Sequence, residues 1–147
     1  MSNPTLAARQ AALVAALVAG GPVPAGFDER LVGVAERSLR RKRAAEVAAA
    51  WPLLAAGLGD QWHDRFSRWA RGRPPRGALR DGWDVARELA FLGQLPPLAE
   101  PELALREVGA HYDGRHVPRP RRLPSVRFVP GGCATGLLGR VHLLCWL

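Results

Sequence analysis

Proline and glycine punctuate this chain so densely that its helices must be short and joined by tight turns. There are 13 prolines and 16 glycines among 147 residues. Gly20-Gly21 with Pro22 and Pro24, then Gly72 with Pro74 and Pro75, then Gly93 with Pro96 and Pro97 all end helical patterns. Between these stops the apolar residues recur at helical spacing. The first helix is expected over 4–19, capped by Ser2 or Asn3, with Leu6, Gln10, Leu13, Val14, Leu17 and Val18 on one broad face. The second begins after Asp28 and runs to about Ala50, with Leu31, Ala35, Ser38, Leu39, Lys42 and Glu46 sharing a face. Pro52 breaks the pattern after Trp51, leaving a short helix to Gly57 or Gly59. A fourth helix starts at Asp60 and carries Trp62, Phe66, Trp69 and Ala70. A fifth spans about 79–92 with Trp83, Ala86, Leu89 and Ala90 inward. A sixth lies near 99–110.

After Gly109 the composition changes. Residues 111–124 set Pro118, Pro120 and Pro124 among arginines, which reads as an extended basic linker. Residues 125–129 are β-prone, Gly131 to Gly139 is turn-rich, and 140–147 is apolar enough for a second strand. The expectation is a mainly α fold: a bundle of five to six helices with a short C-terminal β-hairpin or extended segment. It divides into a helical domain (1–110), a Pro/Arg linker (111–124) and a small β segment (125–147).

The net charge is +8, and Lys42 is the one lysine. A chain made basic by arginine expects acidic partners: nucleic acid, an acidic peptide or an acidic protein surface. The codon bias of a GC-rich genome would give the same composition. Arg37, Arg40, Arg41 and Arg43 form a candidate basic helix face for phosphates, or a solvated face. Lys42 falls on the apolar side, where it would snorkel or form a buried pair. Two cysteines make no disulfide framework. No signal peptide is visible, and the apolar run 6–19 is too short to span a bilayer, so the expected location is the cytoplasm.

Catalytic motifs are missing. Gly131 and Gly136 have phosphate-loop spacing, but Leu137 and Leu138 stand where Lys and Ser/Thr are required. His111, His116, His142, Cys133 and Cys145 make no metal-ligand motif. No serine sits in a nucleophile elbow. Asp60 and Asp64, and likewise Asp81 and Asp84, read as helix-start charges rather than acid–base pairs. Catalytic, cofactor and metal residues are therefore expected to be none. The candidate partner-binding residues are Arg119, Arg121, Arg122, Arg127, Val141, Leu143 and Trp146. They combine positive charge, a strand edge and an apolar end, although Val141, Leu143 and Trp146 would serve equally to cover the bundle.

Several short blocks carry a resemblance: Ala-Arg-Gln-Ala-Ala-Leu-Val (8–14), Gly-Gly-Pro-Val-Pro-Ala-Gly-Phe-Asp (20–28), Leu-Arg-Arg-Lys-Arg (39–43), Ala-Ala-Trp-Pro-Leu-Leu (49–54), Trp-Ala-Arg-Gly-Arg-Pro-Pro (69–75) and Asp-Gly-Trp-Asp-Val-Ala (81–86). Through them, residues 5–95 resemble a family of small actinobacterial proteins found beside multinuclear non-haem iron oxidative enzymes. That family is distantly similar to the partner subunits called HvfC, BufC and MbnC, whose N-terminal part is often described as a DNA-binding domain. The resemblance implies a non-catalytic adaptor subunit that binds an iron-dependent, peptide-modifying oxidase and helps present an acidic ribosomal precursor peptide. The region after the helices is shorter here than in the longer relatives. The alternative reading is a nucleic-acid-binding helical domain or transcriptional regulator.

Overall fold

The structure is a computed structural model and describes residues 5–137 and 139–146. The helices are α1 (Leu6–Ala19), α2 (Glu29–Ala50), α3 (Pro52–Leu58), α4 (Trp62–Trp69), α5 (Ala78–Phe91) and α6 (Glu100–Gly109). Five strands follow: β1 (Ala110–His111), β2 (Arg119–Pro120), β3 (Ser125–Val129), β4 (Gly132–Leu137) and β5 (Arg140–Cys145).

The caps explain where the helices start. Thr5 accepts a hydrogen bond from Ala8 N–H, and Asp28 accepts from Arg30 and Leu31. The expected caps Ser2 and Asn3 lie outside the described residues. Asp60 makes no cap; it falls in a 3-10 turn (Gly59–Gln61) ahead of α4. At α3 the Pro52 break leaves no local cap. Glu102, reaching from α6, accepts the Leu54 N–H at 2.8 Å instead. An orphan donor of one helix is thus satisfied by another helix 48 residues on.

The core gathers around three indoles. Trp51, Trp62 and Trp83 are buried together with Leu54, Phe66, Val47 and Ala86. Their polar ends are paired: Trp51 Nε1 donates to Leu79 O, Trp62 Nε1 to Ala44 O and Trp83 Nε1 to Glu107 Oε1. In α2 the buried face is Val32, Ala44 and Val47. Leu31 and Leu39 are exposed, and so is Lys42, which makes a long 4.0 Å surface contact with Glu46. The expected apolar face of α2 is rotated away from the one that packs. Ala90 of α5, expected inward, is also exposed.

The expected bundle with a single hairpin is overturned. The fold is mixed α and β, with a two-stranded ladder β1–β2 and a three-stranded antiparallel sheet ordered β3–β4–β5. The missed element is β4, Gly-Cys-Ala-Thr-Gly-Leu, whose small residues read as a loop. Their size has a packing cause. A Cβ on Gly136 would lie 2.3 Å from the Val108 carbonyl oxygen of α6. Ala134, wholly buried, packs on Ala104 and Val108. The middle strand must be nearly bare for α6 to lie across it. Residues 111–124 are likewise not simply extended, since Ala110 pairs with Pro120 and His111 with Arg119.

Candidate partner-binding surface

Strand alternation assigns each sheet residue to a face. The register aligns Ser125, Gly136 and Val141, then Arg127, Ala134 and Leu143, on the face covered by α6. Ser125 Oγ donates to Val108 O, which fixes that assignment. The opposite face carries Val126, Phe128, Leu137 and Leu144, and by alternation Trp146, whose N–H extends the ladder to Gly131 O. All five are exposed: Phe128 is 81% accessible and Trp146 54%. A shallow hollow of ≈ 680 Å³ crosses this face between Val126, Thr135, Leu137, Arg140 and His142. A narrower groove of ≈ 280 Å³ follows β3, walled by Leu95 and Leu103.

The expected partner-binding residues therefore divide. Val141 and Leu143 stand on the α6 side, and Val141 lies so near Gly109 that a Cβ there would meet it at 2.9 Å. Trp146 stands on the open side. Arg119 and Arg122 are exposed. Arg121 is half-buried and structural: its Nε donates to the carbonyls of Glu107 and Ala110, tying the β1–β2 ladder to the end of α6. Arg127 reaches to 3.8 Å from Glu107. Phe128, Val126 and Leu144 were not singled out from sequence. Alternation counted back from Trp146 would have found Leu144, but Phe128 is placed only once β4 is recognised. The cysteines sit on opposite faces of neighbouring strands, and both are free.

The basic helix face also divides. Arg40 pairs with Glu36. Arg43 is committed inward: Nε donates to Asp81 at 2.8 Å, and its other nitrogens donate to the carbonyls of Arg73 and Pro74. Arg37 and Arg41 remain exposed. Asp81 does stand in the first turn of α5, but not at the surface. It is buried and also accepts the Arg76 N–H. Asp84 accepts from the Tyr112 hydroxyl and pairs with Arg76. Burial raises the Asp84 carboxyl above its ordinary value, and burial together with this hydrogen bond pushes Tyr112 up to about 12. Each is tied to a neighbouring side chain that holds α5 to the loop after β1.

Glu107 is the hub between the helical layer and the sheet. It accepts from Trp83 Nε1 and from Arg87 Nε at 2.6 Å. Burial alone would raise its pKa; the hydrogen bonds from Arg87 and Trp83 outweigh burial, and the carboxyl is held below its ordinary value. Among the described residues, no three His, Cys, Asp or Glu side chains gather where they could hold a metal ion. Among the same residues, no helix is long and apolar enough to cross a membrane.

Residues 7–91, more than half of the chain, match the family described as SCO6045-like, C-terminal domain. The chain belongs to that family. The SCO6045-like chain is also 41% identical over 123 residues to a UPF0276 protein of Streptomyces avermitilis. That stretch is 83% of this chain but only 25% of the relative, so the chain spans about a quarter of the length of the curated protein it matches. No solved structure matches it.

Proposed function

We propose that this SCO6045-like chain is a non-catalytic, cytoplasmic adaptor that docks on a larger catalytic polypeptide. By the sequence resemblance, that polypeptide is a multinuclear iron-dependent, peptide-modifying oxidase. The observation that carries the reading is the length relation. A unit of this kind makes up a quarter of its Streptomyces relative, so the fold is suited to work beside a much larger body. The same surface serves whether that body is joined in one polypeptide or bound as a separate chain. Phe128, Val126, Leu144 and Trp146 supply an apolar centre, with Arg140 at its margin. The free edge of β3 would accept an extended precursor segment by main-chain pairing, with acidic side chains drawn to Arg127.

Co-expression with the oxidase and capture through a tag on this chain tests the proposal. The double variant Phe128→Asp and Trp146→Asp is expected to keep native circular dichroism and lose capture. Undiminished capture by that variant would move the interface elsewhere. Turnover of the precursor by this chain alone would end the adaptor reading. A nucleic-acid role, the alternative, has less to stand on. Two of the four arginines of its helix face, Arg40 and Arg43, are already paired to carboxylates.

A further inference from the structure

A second charged surface lies in the groove between α4 and α5, with no strand residue in its lining. Its floor is a stripe at helical spacing along α5 and its C-cap, Val85, Leu89 and Leu92. Its rim is a run of arginines: Arg65 and Arg68 on α4, then Arg71 and Arg73 in the turn that follows. The groove measures ≈ 550 Å³, within the range of sites that enclose a ligand or a few side chains.

The charges of this rim are unbalanced. Glu88 is the one carboxylate lining the groove, and it is already occupied by Arg73 at 2.9 Å and by Trp69 Nε1 at 3.2 Å. Arg65 reaches only the neutral amide of Gln94, and its buried Nε has no hydrogen-bond partner among the described residues. Arg68 donates weakly to the Asp64 carbonyl, and Arg71 is exposed. Among the described residues, none of Arg65, Arg68 and Arg71 pairs with a carboxylate. Three guanidinium groups around an apolar floor form a surface complementary to carboxylates flanking an apolar side chain.

Nucleic acid fits this groove less well. Single strands are held by stacking bases on open aromatic faces. Trp69 offers none: guanidinium groups of Arg73 and Arg43 lie 4.8 Å and 5.6 Å from its ring centre, and Phe66 packs at 5.5 Å. Leu92, about half exposed at the open end of the floor, calls for an apolar side chain rather than a sugar or phosphate.

We infer that the α4–α5 groove binds an acidic peptide segment, seating an apolar side chain on Leu89 and Leu92 while its carboxylates meet Arg65, Arg68 and Arg71. The inference does not rest on the iron-oxidase reading.

The test uses the full chain and a fluorescein-labelled peptide rich in Glu and Asp around a Leu-x-x-Phe core, followed by fluorescence anisotropy. The acidic peptide is expected to bind, and its Gln/Asn counterpart is not. Arg68→Glu with Arg71→Glu should weaken binding at least about tenfold. Arg37→Glu with Arg41→Glu makes the same change in net charge elsewhere and should have little effect. Replacing the core Leu and Phe of the peptide by Ser should also weaken binding several-fold. Equal losses in the two double variants would reduce the effect to undirected charge and overturn the inference. So would indifference to the apolar core, or displacement of the peptide by a DNA duplex that itself requires Arg68 and Arg71.

Discussion

Glycine 82 shows how one missing side chain sets the core. A Cβ at this position would lie 2.1 Å from Cδ1 of Trp51. Trp51 cannot swing away: it is wholly buried, its Nε1 is fixed to Leu79 O, and the Arg106 guanidinium lies 4.2 Å from its ring centre. Gly82→Ala is therefore expected to destabilise by about 3 kcal/mol, the upper part of the range for overpacking. Gly33 gives the contrast. It sits inside α2, and a Cβ there would make an ordinary 3.5 Å contact with the Arg37 guanidinium. Gly33→Ala should stabilise by about 0.5–1 kcal/mol through helix propensity. Urea unfolding of both variants checks the pair, and two changes of the same sign would contradict the packing described here.

At the scale of elements, helices were legible in the sequence where an amphipathic period met a Gly or Pro stop. Asp28 before α2 and the Trp62–Phe66 face of α4 are such cases. The face that α2 buries was not legible, because Arg43 is drawn inward by Asp81, 38 residues away. No local pattern reports a partner at that distance. β4 was hidden for a related reason: its composition answers to α6 and not to strand propensity. The arginine groove did leave a signal, since positions 65, 68, 71 and 73 crowd around Trp69. It is easily passed over because Trp69 shares the apolar spacing of the α4 core residues, whereas it is half-buried. The dependence of β4 on α6 is testable. Gly136→Ala must push the sheet from the Val108 carbonyl and should cost about 1–3 kcal/mol. Hydrogen exchange should show the loss first in the amides of β3–β5, with the α2–α5 amides less affected. Uniform loss across both would mean the sheet and the helical core open as one unit. Removing everything after Gly109 is a less clean experiment, because it strips cover from Val108 and Ala104.

At the scale of the whole molecule, one carboxylate on α6 links α5 to β3, and that link should respond to pH. Glu107 receives Trp83 and Arg87 from α5 and lies 3.8 Å from Arg127 on β3. Burial works to raise its pKa, but the two hydrogen bonds and the arginine charges win, so the folded value lies below the unfolded one. A depressed carboxyl contributes stability above its unfolded pKa and loses it as pH falls through the folded pKa. Asp84 and Glu102 act in the opposite sense: burial raises both, so protonation on the way down favours the folded state. The acid response of the wild type is the difference between these contributions. Glu107→Gln keeps the shape and an acceptor for Trp83 but leaves the Arg87 and Arg127 charges uncompensated. At neutral pH it should cost about 2–3 kcal/mol, the scale of a charged buried hydrogen bond. The gap from wild type should narrow as pH drops below the ordinary glutamate range, because the wild-type carboxyl then becomes neutral too. Urea unfolding of both proteins over a descending pH series measures that gap directly. A gap that stays constant from neutral to acid pH would show that the charge of Glu107 does not hold the two layers together.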